Sequence, residues 1–450
     1  MRRLLFVTLM LWLIGCESDP APASVDAIGG IVDDVSMPAV ATVNAAKVAP
    51  ASACKACHPQ HFAEWSGSRH AAAVTDQLFQ ALVGVRQKQR AGKEDRFCTQ
   101  CHSIVGVRSG DIHPGFAFSD LQQASVDAVS CAVCHGATEV LRTHNAGLKV
   151  DFAGPLHGNL ADPKAAAAHK VAPGPLLQSA EFCAACHDVY ELKGLSLERP
   201  FQEWQDSPAP DQQQTCQTCH MPTYDGQAAV GGPQRTGLHH HRFVGFDPPG
   251  AATGTEAGLK AGFDNDLAML LGDAASLTVL AEVPDATGVA NLTVSVANHI
   301  QGHSLPTGTT FLRQCWLEVT VRDASGKVLY QSGDLDANGD LRNRWSQLDP
   351  FGDSDLISFS SELIDASGAP TLFPWLAAEH HRNALRAGET KTFTYFAPIA
   401  KDFHGAIAVT ARLRLRAAPP FLLRLVGLET LLPHNRTAEL AHDATALAVP

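Results

Sequence analysis

Positive charge is in short supply in this sequence. The 450 residues include 34 Lys and Arg against 46 Asp and Glu, a formal net charge of −12. A surface of that sign argues against nucleic acid as a partner and suits basic protein partners better. Methionine is scarcer still: of five residues, only Met37, Met221 and Met269 lie beyond the first apolar run. Thioether sulfur is therefore a poor source of metal ligands here. That first run, Leu4–Ile14, is shorter than the about 20 apolar residues a membrane-spanning helix needs. Cysteines for disulfides are lacking too, because ten of the 12 are committed to a single repeated pattern and only Cys16 and Cys315 fall outside it.

That pattern is Cys-x-x-Cys-His, and it occurs five times: Cys54–Cys57–His58, Cys98–Cys101–His102, Cys131–Cys134–His135, Cys183–Cys186–His187 and Cys216–Cys219–His220. Two thiols three residues apart can each add to one vinyl group of a haem. The histidine that follows then lies under the ring and ligates the iron. A zinc site explains Cys-x-x-Cys but does not require His directly after it. With 21 His in 450 residues, five such coincidences have a chance on the order of 10⁻⁷, so the spacing implies five covalent c-type haems.

The start of the chain has the plan of an export signal: Arg2 and Arg3, the apolar run, then Leu13-Ile14-Gly15-Cys16. It resembles a bacterial lipoprotein signal. The resemblance implies removal of residues 1–15, a lipid on Cys16 and a membrane anchor, and Glu17 after the cysteine points to the outer membrane. Residues 16–50 read as a flexible tether rich in Ala, Pro, Ser, Val and Asp.

Residues 51–246 form the expected haem domain, mainly helical and irregular, with the porphyrins supplying much of its apolar core. Phe62, Trp65, Val74, Leu78 and Leu82 keep helical spacing, so a helix is expected over 62–83. There is one internal echo, Glu64-Trp65-x-x-Ser68 against Glu203-Trp204-x-x-Ser207; the first copy runs on to His70 and the second to Ala209. The first motif followed by Trp65-x-x-Ser68-x-His70, together with Gly154-Pro155, His169-Lys170 and Cys219-His220-Met221-Pro222, resembles the multihaem cytochromes of the cytochrome c-554 type. The resemblance covers roughly residues 51–246.

Residues 247–262 read as a Gly/Pro-rich linker. Beyond it apolar residues alternate: Leu277-Val279-Ala281-Val283, Leu292-Val294-Val296, Leu317-Val319-Val321 and Ile407-Val409-Ala411-Leu413-Leu415. Turn signals at Asp323–Gly326 and Asn338-Gly339 separate such runs. The expected fold class is thus α + β in two domains, a pentahaem cytochrome domain followed over 263–450 by an antiparallel, immunoglobulin-like β-sandwich. Cys315 shares the parity of Leu317 and reads as a buried thiol. Gly302-His303-Ser-Leu-Pro306-Thr307-Gly308 resembles a motif of sandwich domains fused to multihaem cytochromes. Asp334-x-Asp336-x-Asn338-Gly339-Asp340 begins like a calcium loop, but Trp345 stands where the bidentate Glu belongs. Arg412, Arg414 and Arg416 share a strand face, available to solvent or to haem propionates.

Function turns on the second axial position of each iron. A second His closes it and makes an electron carrier, whereas an open position admits a substrate. His70 and His169 are candidates by the resemblance, His240 and His241 by the run that holds them, and His303 from the second domain. With His61, His113, His144, His157 and His239 also present, ligands exceed need, so five closed, bis-His haems are expected. No catalytic residue is assigned. The favoured reading is an exported, lipid-anchored cytochrome relaying electrons between redox protein partners at the periplasmic face or surface of the outer membrane. Two others stay open: a reductase of small nitrogen or sulfur compounds with one open haem, and a subunit of an extracellular cytochrome assembly. Every motif ends in His, whereas pentahaem nitrite reductases carry one Cys-x-x-Cys-Lys.

Overall fold

Short helices and two-stranded ribbons carry the chain from Cys54 to His239. The computed structural model describes residues 42–160, 162–163, 168–246, 257–284 and 288–450. The export signal, Cys16, the tether as far as residue 41 and linker residues 247–256 lie outside them. Residues 42–50 do not behave as a tether. Ala45 and Val48 are buried with Val105 and Val133, and the amides of Thr42 and Val43 donate to the Arg108 carbonyl.

The helix expected over 62–83 is three: Pro59–Ser66, Arg69–Ala72 and Gln77–Arg90. Side-chain caps divide it. Ser68 accepts from the Ala71 amide and Asp76 from the Phe79 amide, each satisfying a donor at a new helix start. A second correction concerns the linker, since residues 257–262 already belong to the helix Ala257–Gly272. Asp266 of that helix pairs with Arg242 at 2.6 Å and ties it to the first half of the molecule. Among the described residues, no helix is long and apolar enough to cross a membrane.

The second half is built from antiparallel sheets. One has the order Thr390–Pro398, Val289–Asn298, Ala275–Ala281; a second runs Val328–Ser332, Gln314–Asp323, Gly405–Arg416, Thr437–Val449; a third, smaller one runs Pro370–Thr371, Glu362–Asp365, Ala377–His381. The alternation read from sequence is the reason the first two pair. Leu292, Val294 and Val296 of the first sheet and Leu317, Val319, Val409 and Leu413 of the second are fully buried in one shared core. Cys315 is buried there as well. Val283 lies past the end of its strand and is exposed. Leu413, between Leu317 and Ala441 in register, has no exposed surface. Leu413→Ala is expected to destabilise this half by about 2–5 kcal/mol through lost burial and the cavity left behind. A urea titration followed by circular dichroism checks it, and an unchanged midpoint would place Leu413 outside the core.

The polar candidates of this half are committed locally. Asp336 accepts from the Asn338 and Asp340 amides and from Ser346, while Asp334 pairs with Arg342 and Asp340 with Arg424. Arg412 and Arg414 bridge Glu318 and Glu439 across the sheet; Arg416 is buried against Gln314. Contact between the halves is extensive and combines polar bonds with apolar packing. Leu78 is buried with Phe421 and Leu422, and Leu197 with Phe311 and Leu363.

Candidate functional site

One helical turn brings residues i, i+3 and i+4 to a single face. The Cys-x-x-Cys-His motifs use it directly. Two form a turn of their own, Cys131–His135 and Cys216–His220; two end longer helices, Asp95–His102 and Ala180–His187. The first closes through a bond from the His58 amide to the Cys54 carbonyl, 2.8 Å. Each turn therefore presents two thiols and an imidazole to one side.

The imidazoles are held in the tautomer a metal needs. In four of the five motif histidines, Nδ1 lies 2.6–2.8 Å from a backbone carbonyl: His58 to Ala228, His102 to Ala73, His135 to His157 and His220 to Val244. A carbonyl only accepts, so Nδ1 carries the proton and Nε2 keeps its lone pair for a ligand. Burial acts in the same direction. Desolvation pushes His187 down to about 4 and His70 to about 3, and it lowers His102, His135, His220, His241 and His303 as well. All are held neutral, the form that ligates. His187 keeps accessible surface. Thiols beside neutral imidazoles are what a covalently attached haem requires.

Four motif histidines have a second imidazole across from them. The centroid separations are 6.3 Å for His58 and His169, 6.1 Å for His187 and His70, 6.1 Å for His135 and His241, and 6.3 Å for His220 and His303. Metal–imidazole bonds of about 2.0–2.1 Å on either side of one ion place the two centroids roughly 6 Å apart. His61 stands 6.2 Å from His58 too, but Tyr224 occupies its Nε2 at 2.9 Å. The sequence candidates His70, His169, His241 and His303 thus each face a motif.

His240 does not. Its Nδ1 bonds Glu64 at 2.5 Å and its ring stacks on Tyr224 at 4.5 Å. A buried carboxylate beside Arg242 captures it, whereas the next residue, His241, turns the other way. His102 differs from the other motif histidines as well. Among the described residues no imidazole faces it at that spacing, and the ring of Phe79 lies parallel on it, 3.8 Å away with 3° between planes. The expectation of five closed pairs therefore meets four in the structure. His113 is exposed in a loop, and His144 packs edge-on against Tyr190.

Packing gives the motifs an order in space: Ala51–Cys54 lies against the helix Cys131–His135, and Ala180–His187 against Cys216–His220. The Cys186 thiol lies near enough to those of Cys101 and Cys134 to shift their titration. The motif at Cys183–His187 consequently adjoins three others. Sequence reasoning missed Arg86, whose buried guanidinium donates to the Cys98 sulfur at 2.9 Å and to Glu94 at 2.8 Å. An Arg in a helix carries no local signal that it will turn inward.

Comparison with known proteins agrees with this geometry. Residues 53–136 match the family model described as cytochrome c554 and c-prime. The fold is similar to that of a solved penta-heme cytochrome c552 from Thermochromatium tepidum, with 21% identity and a TM-score of 0.60 over 89% of this chain and 99% of that one. At that identity the likeness is one of fold, and its coverage takes in the sheets as well as the motifs. A search of curated proteins finds no match.

Proposed function

We propose that this multihaem c-type cytochrome, whose general activity is electron transfer, is a pentahaem relay held at a membrane and exchanging electrons with redox protein partners. Haem, when bound, supplies the reversible one-electron couple. The chain supplies attachment, ligands and order. Cys54 and Cys57, Cys98 and Cys101, Cys131 and Cys134, Cys183 and Cys186, and Cys216 and Cys219 would bind the five groups. His58, His102, His135, His187 and His220 would ligate from one side, and His169, His241, His70 and His303 from the other. The observation that carries the reading is the packing of motif on motif, Ala51–Cys54 against the helix Cys131–His135 and Ala180–His187 against Cys216–His220. Tunnelling falls exponentially with distance, so motifs that touch favour transfer along the whole set.

We read the paired sheets as an immunoglobulin-like sandwich over 263–450 that completes the His220 site by lending it His303. Membrane attachment rests on the lipoprotein-like sequence ending at Cys16, and export on the chemistry of haem attachment. Intact-mass spectrometry of the mature protein tests count and anchor together. Five haem additions and an acylated N-terminal peptide are expected; fewer than five additions would refute the count, and an unmodified Cys16 the anchor.

One observation favours a second reading. His102 has no opposing imidazole at ligand spacing among the described residues, which supports an open haem there and keeps a reductase of small nitrogen or sulfur compounds in play.

A further inference from the structure

The echoed sequence is longer than its Glu-Trp pair, because Phe62-x-Glu64-Trp65-x-x-Ser68 repeats as Phe201-x-Glu203-Trp204-x-x-Ser207. The two copies also repeat in three dimensions. Each sits on a short helix, Pro59–Ser66 or Pro200–Gln205, and in each the Phe and Trp rings pack together at 5.9 or 5.5 Å. In each the serine amide donates to the Trp carbonyl, at 2.8 or 3.1 Å.

Their outward bonds correspond as well. The indole N–H of Trp65 donates to the Val129 carbonyl at 2.9 Å, and that of Trp204 to the Gln214 carbonyl at 2.8 Å. Val129 lies two residues before Cys131, and Gln214 two before Cys216. Each tryptophan thus pins the entry to a haem motif. The glutamates reach the other way. Glu64 accepts from the amide of His241 at 2.7 Å, and Glu203 from the amide of Ser304, next to His303, at 3.2 Å. Glu203 also accepts from the Thr307 hydroxyl at 2.6 Å. His241 faces His135 and His303 faces His220, so each Glu-Trp pair holds both sides of one site. The preceding motifs follow the same rule, with Ala51–Cys54 packed against Cys131–His135 and Ala180–His187 against Cys216–His220.

We propose that Phe-x-Glu-Trp-x-x-Ser is a repeated bracing element, in which Glu64 and Glu203 are positioning residues that set the opposing histidines, His241 and His303, against motifs whose entries the tryptophans fix. Backbone amides at the base of a histidine set where its ring lies. A carboxylate behind that amide, buried in Glu64 and half-buried in Glu203, holds it through charge-assisted bonds. Because the second brace crosses between the halves of the molecule, it also explains why the sheet half must dock for the His220 site to be complete.

This inference rests on the reading of His303 and His241 as ligands, and the test separates the two. Electron paramagnetic resonance is recorded on the oxidised full-length holoprotein. His303→Ala should add a high-spin signal of one haem; if it adds none, the ligand reading fails. Glu203→Ala should shift or lose the low-spin signal of that same haem, so that the double variant Glu203→Ala/His303→Ala gains no more high-spin haem than His303→Ala alone. Both bonds to Glu203 fall on one carboxylate oxygen. Glu203→Gln keeps an oxygen there and should restore the wild-type spectrum. Glu64→Ala should perturb a different haem. Should Glu203→Ala fail to fold, Thr307→Val removes one of the two bonds at little change in volume and should still move that haem's low-spin g-values. If His303→Ala gains its signal while Glu203→Ala, or in its place Thr307→Val, matches the wild type, the brace is overturned. It is equally overturned if the double variant gains two high-spin haems.

Discussion

Replacing His70 with alanine is expected to convert one haem, that of the Cys183–His187 motif, from low to high spin while the others keep their spectra. His70 stands 6.1 Å from His187, ring centroid to ring centroid. Burial pushes its pKa down to about 3, so it is neutral at any pH at which the protein works. Its Nδ1 is buried without a hydrogen-bond partner, and Phe243 packs on it at 4.4 Å. Packing rather than a polar tether thus holds this ring, and no other imidazole stands at that spacing from His187 among the described residues. The position matters beyond its own site. The helix that carries it, Ala180–His187, packs against Cys216–His220, and its Cys186 thiol lies near enough to Cys101 and Cys134 to shift their titration, so this motif neighbours three others. A changed potential there should slow electron exchange through the whole protein, read by stopped-flow reduction alongside electron paramagnetic resonance. A variant that stays entirely low-spin would show that His70 is not a ligand.

The second large effect is expected of the unaltered protein. The oxidised form should carry a high-spin signal integrating to one haem, and the reduced form should bind one equivalent of carbon monoxide. The reason is His102. Its Nδ1 bonds the Ala73 carbonyl at 2.8 Å, which readies Nε2 for a metal, yet no second imidazole faces it at ligand spacing among the described residues. Phe79, parallel to the ring, fixes its orientation without offering a donor atom. Turnover of nitrite or hydroxylamine by such a protein would promote the reductase reading over the relay. Five low-spin haems and no carbon monoxide adduct would close the site and leave the relay alone.

How much of this was legible beforehand depended on the range of the interaction. Cys-x-x-Cys-His is a local pattern, because one turn of chain assembles it, and so all five motifs are readable in the sequence. Alternation is local in the same sense: Leu292, Val294 and Val296 declare a buried strand face before any partner strand is known. Even Cys315 followed from parity. The caps at Ser68 and Asp76 were visible residue types, but apolar spacing outweighed them in the reading of a single helix, and the structure divides it there.

What the sequence alone could not give is which histidine meets which. Composition offers more imidazoles than sites, and neighbours such as His240 and His241 are indistinguishable until one is caught by Glu64 and the other turned toward His135. His303 and His220 belong to different halves of the chain, and only docking of the sheets brings them to 6.3 Å. The echo of Glu-Trp was plain as letters, but its meaning lies in what each side chain reaches. Local chemistry determined that this chain binds haem. Which imidazoles face the motifs, how the motifs pack and the lone position of His102 were decided by tertiary structure, because each is a contact between distant segments whose cost and reward depend on the packed whole.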